Sequence, residues 1–277
     1  MKLTRVFSLL AVALTFSLVC HAQNSNQSPT VKDDEPDFIV PSRPTVSNPA
    51  EFQKPGVLQL EFGFNSNFHA PEDGSQEDFP LALRFAASRR ILLELDLDSP
   101  LSQKVIGLRR TGAGDTQLGI QAVVRHEKET APGIAIAYYI KLPTASSDNG
   151  LGSGRIDHNF VGLISKKFGG TTVDFNASCL LAGRTTDSGH ALSAQAALAV
   201  SRNITNRWGI QGEISGSSRN DAAPGMMFGL GAVTYQVNRR LVFDGGARAG
   251  LTDDAPRVGI FAGMTVGIAD LYRHHKH

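Results

Sequence analysis

The sequence predicts an all-β fold, an antiparallel transmembrane β-barrel of about twelve strands, and three observations support this prediction. From residue 57 onward, apolar residues recur with a period of two rather than 3.6, which is typical of strands with one apolar face. The alternating segments are roughly 9–12 residues long, enough to cross a bilayer at a tilt and longer than the ~5–6 residues of an ordinary strand. Short connections also alternate with longer ones, as they do in outer-membrane barrels.

The N-terminus, MKLTRVFSLLAVALTFSLVCHAQ, has the pattern of a secretory signal peptide. Lys2 and Arg5 precede a long apolar run, and the small residue Ala22 ends a cleavage site. We therefore expect residues 1–22 to be removed on export and the mature chain to reach the bacterial outer membrane. A lipoprotein with Cys20 as its first mature residue is the less favoured alternative, because no small residue precedes this cysteine.

The remaining chain divides into an arm, a barrel and a tail. Residues 23–56 are rich in Ser, Asn, Pro and acidic residues and cannot bury a core, so we expect a flexible arm. The barrel is predicted over residues 57–270. Residues 271–277, which end in RHHKH, are predicted to be a disordered tail. Cys179 is the single cysteine outside the signal peptide, so an internal disulfide is excluded.

Each predicted strand has one apolar face and one face of polar or small residues. In PGIAIAYYIKL, Ile134 and Ile136 share one face, while Ala135 and Ala137 share the other. In chain order the segments are VLQLEFGF, RILLELDLDS, DTQLGIQAVVRH, PGIAIAYYIKL, TVDFNASCLLAGR, HALSAQAALAVS, RWGIQGEISGS, RLVFDGGARAGL and PRVGIFAGMTVGI, with less clear alternation over residues 159–168 and 226–237. We expect the apolar face to contact lipid. Because backbone polar groups find no partner in lipid, the sheet must close on itself.

The connections predict the orientation of this barrel. Those at SRR, HEKETAP, KFGGT, RNITN and NRR are short, whereas longer loops are predicted over residues 66–78, 100–113 and 144–156. Outer-membrane barrels have short periplasmic turns and long external loops. We therefore expect the first strand to run outward and both termini to lie in the periplasm.

Charged residues of both signs lie on the predicted inward face and are the candidate lumen-lining residues. They are Glu61, Arg84, Glu94, Asp96, Arg125, Lys141, Asp174, Glu213, Asp244, Arg248 and Arg257. Charges in a lumen tune permeation. Alternatively, they form salt bridges that fill the barrel, but a twelve-stranded barrel is wider than the eight-stranded barrels that side chains fill. The sequence therefore favours a pore.

Other chemistry is not indicated. TGAGDT and GLGSGR are glycine-rich but lack the Lys-Ser/Thr ending and strand-to-helix context of a phosphate-binding loop. His126, His158 and His190 show no metal-ligand spacing, and His190 and Ser193 would face opposite sides of one strand. We thus predict no enzyme, cofactor or metal. The formal net charge of +1 argues against a nucleic-acid partner.

Several segments, in order, resemble one protein family. They are RPTVSNPAEFQKPGVLQLEFGF, GAGDTQLGIQ, IKLPTASSDNGLGSGRIDHNF and RWGIQGEISG, and they are similar to bacterial outer-membrane proteins described as transporters associated with meta-pathway phenol degradation. The pattern has an Arg-Pro segment followed by G-x-x-Q-x-E, here Gly56, Gln59 and Glu61. The resemblance, from Arg43 to the end, implies a β-barrel with a transport role and no catalytic residues. The chain departs from many such barrels in ending on His277 rather than on an aromatic residue.

These observations predict a porin-like channel for small molecules, aromatic or hydrophobic ones by the resemblance. Its expected partners are outer-membrane lipid and a small-molecule permeant. Two alternatives stay open: a structural or ligand-binding barrel with a plugged lumen, and a soluble periplasmic β-sandwich binding protein.

Overall fold

The computed structural model describes residues 37–70, 74–105, 107–220 and 223–272. Thirteen strands run through this part of the chain. They are β1 (Val57–Ala70), β2 (Gly74–Ala86), β3 (Ile91–Val105), β4 (Leu108–Gly112), β5 (Thr116–Arg125), β6 (Gly133–Leu142), β7 (Asp157–Phe168), β8 (Thr171–Gly183), β9 (His190–Asn203), β10 (Trp208–Ser217), β11 (Met226–Asn238), β12 (Leu241–Gly250) and β13 (Val258–Asp270). Nowhere in the described ranges is there a helix with the length and apolarity needed to cross a membrane.

The sheet closes into an antiparallel ring. Each strand pairs with its neighbour in sequence, and β1 pairs with both β2 and β13. β4 is outside the ring, because it pairs only with the last part of β3, while β5 pairs with the first part of the same strand. The ring therefore has twelve strands, which confirms the predicted barrel and excludes the β-sandwich.

The outer surface of the ring is apolar, as predicted. On β6, Ile136 is 58% exposed, whereas Ala135 and Ala137 on the opposite face are buried. Leu192 on β9 and Trp208 on β10 are likewise exposed. Apolar exposure over a whole sheet face is unfavourable in water and favourable against lipid. The less clearly alternating segments at 159–168 and 226–237 are β7 and β11.

Two of the predicted long loops are mostly strand. The segment 66–78 is largely β1 and β2, and the segment 100–113 is largely the hairpin of β3 and β4. These hairpins carry polar residues on both faces, such as Ser75 and Gln76, so the period-two signal of a lipid-facing strand is absent there. The third predicted loop, residues 144–156, is confirmed, since β6 ends at Leu142 and β7 begins at Asp157.

The two ends of the barrel differ. Residues 87–90, 126–132, 169–170, 204–207 and 239–240 form compact connections at one end, which we call the short-turn end. The opposite end, which we call the long-loop end, carries the connection between β6 and β7. In outer-membrane barrels short turns face the periplasm.

Residues 37–56, which we call the arm, correct the prediction of a flexible segment. The arm lies inside the ring, where Phe52 packs against Leu92 and Val123. Both of its ends lie at the short-turn end, since the Lys54 nitrogen donates to the Asp37 carbonyl at 2.8 Å. A polar segment can be buried here because the inner wall is also polar and supplies its hydrogen-bond partners. Residues 1–36, with the predicted signal peptide, lie outside the described residues.

The predicted disordered tail begins too early. The Leu271 nitrogen donates to the Gly56 carbonyl at 2.8 Å, and the Tyr272 hydroxyl donates to the Ala87 carbonyl at 3.0 Å. The Tyr272 ring also stands edge-on to that of Phe85. Residues 273–277 lie outside the described residues.

Candidate functional site

The first half of the arm is fixed to β1 by two inward side chains. The Gln59 amide accepts from the Val40 nitrogen at 3.0 Å and donates to the Val40 carbonyl at 2.9 Å. The Glu61 carboxylate accepts from the Ser42 nitrogen at 2.9 Å and from the Arg43 nitrogen at 3.1 Å. Glu61 is 1% exposed, so its charge is held by these donors rather than by water.

Arg43 ties the arm to the far side of the closing seam. Its guanidinium forms an ion pair with Asp244 of β12 at 3.2 Å. It passes over Gly63 and Gly263, which lie opposite each other where β1 meets β13. A Cβ atom at either glycine would collide with the guanidinium. These two glycines therefore make room for the arginine.

The middle of the arm is fixed to strands on the opposite wall. The Val46 and Ser47 nitrogens donate to Glu213 of β10 at 3.1 and 2.7 Å. Asn48 pairs through its backbone nitrogen and carbonyl with the Asn176 side chain of β8, at 2.7 and 2.9 Å. This segment therefore crosses the barrel interior.

The last part of the arm returns to the start of β1. The Ala50 nitrogen donates to the Ser165 hydroxyl of β7 at 2.7 Å, and the Gln121 amide of β5 donates to the Ala50 carbonyl at 3.1 Å. The Gln53 amide then donates to the Arg84 carbonyl of β2 at 2.9 Å. The arm thus follows the inner wall from β1 and β12 through β10, β8 and β7 to β5 and β2, and narrows the lumen from within.

A buried arginine supports the root of the arm. Arg84 is fully buried and lies 3.2 Å from both Glu61 and Glu94. It also donates to the Val40 carbonyl at 3.0 Å. One guanidinium therefore neutralises two wall carboxylates and holds the arm backbone at the same time.

A cavity of about 530 Å³ lies between the arm and the wall. Arm residues Ser42, Arg43, Pro44, Thr45, Val46 and Asn48 form part of its lining. The wall contributes the carboxylates Glu94 and Asp96, the polar residues Asn65, Gln117, Tyr139, Asn159 and Gln195, and the apolar residues Val161, Phe228, Leu230 and Phe261, among others. The cavity is therefore a mixed one, with apolar surfaces and separate hydrogen-bonding groups.

Most predicted lumen-lining residues lie on the inward faces of their strands. These are Glu61, Arg84, Glu94, Asp96, Lys141, Asp174, Glu213, Asp244 and Arg248. The structure brings Arg84 together with Glu61 and Glu94. It joins Lys141 to Asp115 and Asp157 at the long-loop end, at 3.1 and 2.8 Å.

Arg125 and Arg257 depart from the prediction. Arg125 is exposed and donates to the Pro132 carbonyl in the turn after β5 at 3.0 Å. Arg257 is exposed in the loop before β13. The pairing of β5 with β6 shifts register between Val123 and Arg125, and Arg257 precedes its strand, so alternation does not direct either side chain inward.

The arm residues and the neutral side chains that hold them were missed by sequence reasoning. They include Ser42, Arg43, Ser47, Asn48, Gln59, Gln121 and Asn176. One signal was available, because the Arg-Pro segment and the G-x-x-Q-x-E pattern recur together in the family. Gln59 and Glu61 of that pattern are two of the residues that bind the arm.

The histidines differ from their predicted isolation. The His158 ring accepts or donates a hydrogen bond to the Tyr138 hydroxyl at 2.8 Å, and its centroid lies 5.6 Å from that of His190. Ser193 is buried on the inward face, opposite His190 on the same strand. The described residues hold no group of three side chains suited to a metal ion.

Comparison with known proteins agrees with this arrangement. Residues 41–267 match a family described as "Putative MetA-pathway of phenol degradation". The chain belongs to this family. The matched region begins within the arm, so arm and barrel are both part of the family pattern.

Two solved structures share the fold. The COG4313 outer membrane channel from Pseudomonas putida F1 is 13% identical, with a TM-score of 0.63 over 78% of this chain and 97% of that one. The NanC porin is 7% identical, with a TM-score of 0.52 over 76% of this chain and 98% of that one. At these identities the similarity is one of fold. No curated relative matches the chain.

Proposed function

We propose that this chain is a constricted channel of the bacterial outer membrane for small, largely apolar molecules, aromatic ones included. The observation that carries the proposal is the cavity between the arm and the wall of a closed barrel. The family description, which refers to phenol degradation, and the channel named among the similar structures support it. The exclusively polar lining of a general porin would not favour such permeants.

The lining matches a molecule with an aromatic body and a small polar group. Phe228, Leu230 and Phe261 offer apolar surface, while Asn65 and Asn159 offer hydrogen-bonding groups. Ligand sites combine such surfaces with a few polar groups that fix orientation. Phenol has this composition, and we propose phenol and similar compounds as permeants.

Single-channel recording of the purified barrel in planar bilayers tests the channel. The adjacency of Asp37 and Lys54 allows residues 38–53 to be excised and the ends joined directly. We expect the full chain to give a small ion current, and the excised variant to give a current several-fold larger. Phenol should reduce the current of the full chain by occupying the cavity. A current that is unchanged by the excision would contradict a constriction formed by the arm. A heat-dependent gel shift of each variant controls for folding.

A second candidate is a barrel with a plugged lumen, and the extent of arm contact favours it. The arm is hydrogen-bonded to inward residues of β1, β2, β5, β7, β8, β10 and β12. A full chain that carries no current, combined with an excised variant that does, would support this candidate over the channel.

We further propose export by cleavage of residues 1–22, with the mature chain inserted in outer-membrane lipid. The sequence pattern of the N-terminus and the apolar outer wall support this. The intact mass of the protein from outer membranes should correspond to a chain that begins at Gln23. A lipid-modified chain that begins at Cys20 would contradict it. We propose no enzymatic activity, since His190 and Ser193 face opposite sides of the wall.

A further inference from the structure

An outward-facing groove lies at the turn between β9 and β10. Its volume is about 590 Å³, and it is lined by Thr205, Asn206, Arg207, Trp208 and Tyr235. The Thr205 hydroxyl accepts from the Arg207 and Trp208 nitrogens at 3.2 and 2.9 Å. The turn is therefore fixed by its own hydrogen bonds, and the groove is already formed.

One wall of the groove is aromatic. Trp208 lies directly opposite Tyr235 across β10 and β11, with ring centroids 4.7 Å apart, and Tyr235 lies opposite Phe243 on β12. These rings form an outward row close to the short-turn end. Tryptophan and tyrosine in such a row mark the depth of lipid headgroups, because their rings are apolar and their N–H or O–H groups are polar.

The other wall carries positive charge. The Arg207 guanidinium lies 3.4 Å from the Tyr235 hydroxyl and is exposed. Arg202, on the outward face of β9, lies opposite Ile210, two residues beyond Trp208. Two guanidinium groups therefore lie beside one aromatic pair at headgroup depth.

The surrounding rim is also basic. Exposed cations of the described short turns and adjoining strand ends are Arg89, Arg90, Lys128, Lys167, Arg202, Arg207 and Arg239. In the same described segments the exposed acidic residue is Glu129. This contrasts with the chain as a whole, whose formal net charge is +1. The positive charge is concentrated where the barrel meets one leaflet.

We propose that this groove binds the headgroup of an anionic phospholipid in the leaflet at the short-turn end. Arg207 and Arg202 hold the phosphate, and the Trp208 and Tyr235 rings pack against the glycerol and the upper acyl chain. Exposed Ile204 and Ile210 extend the apolar contact. Each cation near an anionic membrane surface contributes attraction equivalent to roughly a fivefold enrichment of the lipid.

The groove carries its own reporter, because Trp208 is the only tryptophan of the chain. The full-length barrel is reconstituted in phosphatidylcholine bilayers that contain a small fraction of lipid with brominated acyl chains. Bromine quenches tryptophan fluorescence on contact, so the quenching measures which lipid occupies the groove. Brominated phosphatidylglycerol, phosphatidylethanolamine and phosphatidylcholine are compared at the same mole fraction.

We expect phosphatidylglycerol to quench Trp208 several-fold more than phosphatidylcholine does, and the excess to fall at high salt. The R202Q/R207Q variant should lose the excess. R219Q, which removes an exposed arginine of the long-loop end, should retain it. Equal quenching by all three lipids, or an excess that survives R202Q/R207Q, would overturn the proposal. Equal excess for phosphatidylethanolamine, or loss of the excess on addition of inorganic phosphate, would also overturn it in favour of a general phosphate site.

Discussion

At the scale of single residues, Arg84 shows how the barrel interior balances buried charge. We expect replacement of Arg84 by leucine to lower the free energy of unfolding by about 3–5 kcal/mol, because Glu61 and Glu94 would be left without their cation. Urea unfolding from lipid vesicles measures this change. As a control, Arg109→Leu removes an exposed ion pair with Glu77 and should cost less than about 1 kcal/mol. Equal losses in the two variants would contradict the buried-charge explanation.

A second residue-scale prediction concerns the glycines under Arg43. We expect Gly263→Ala to displace the guanidinium from Asp244 and to raise the single-channel current, because the new methyl group occupies the space of the arginine side chain. Gly231→Ala is the matched control, since a Cβ atom there meets nothing within 4 Å. If the two variants conduct alike, the Arg43 anchor does not set the constriction.

At the scale of elements, the arm depends on a few acceptors in the wall. We expect Glu213→Leu to accelerate hydrogen exchange at the Val46 and Ser47 amides by roughly 10- to 100-fold, since hydrogen bonds to charged groups contribute ~1.5–3 kcal/mol. Exchange measured by mass spectrometry resolves the arm. Asp254→Leu at the long-loop end serves as a control. Unchanged protection in Glu213→Leu would show that other contacts hold this segment.

The strands could be predicted from sequence and the arm could not, for a physical reason. On β6, lipid on one side selects Ile134 and Ile136, and the narrow interior selects Ala135 and Ala137, so the pattern is written in neighbouring residues. The arm is held by partners far away in sequence, as Ser47 and Glu213 are 166 residues apart. Low apolar content indicated only that the arm makes no core of its own.

The candidate site followed the same division. Strand parity placed Glu61, Arg84 and Glu213 inward, because a period of two is strict within a regular ladder. It failed for Arg125 and Arg257, which lie at a register shift and before a strand. Sequence alone also could not tell that Glu213 binds backbone amides of the arm rather than a permeant.

At the scale of the whole molecule, closure of the ring brings the two ends of the barrel together at Tyr272. We expect Tyr272→Ala to lower stability by about 1–2 kcal/mol, through loss of the Phe85 contact and the hydrogen bond to Ala87. The midpoint of the heat-dependent gel shift measures it. A chain that ends at Tyr272 should match the full chain. A shortened chain as unstable as Tyr272→Ala would instead assign the effect to residues 273–277.

The placement of the arm also dictates an order of events in biogenesis. The arm is translated before every strand, yet Arg43 is joined to Asp244, 201 residues later. Glu213 and Asn176 also belong to the second half of the chain. The arm therefore finds its partners only when insertion of the wall is nearly complete. Until then it is open to periplasmic proteases, and afterwards it is withdrawn from them, so protection of this segment distinguishes finished barrels from stalled ones.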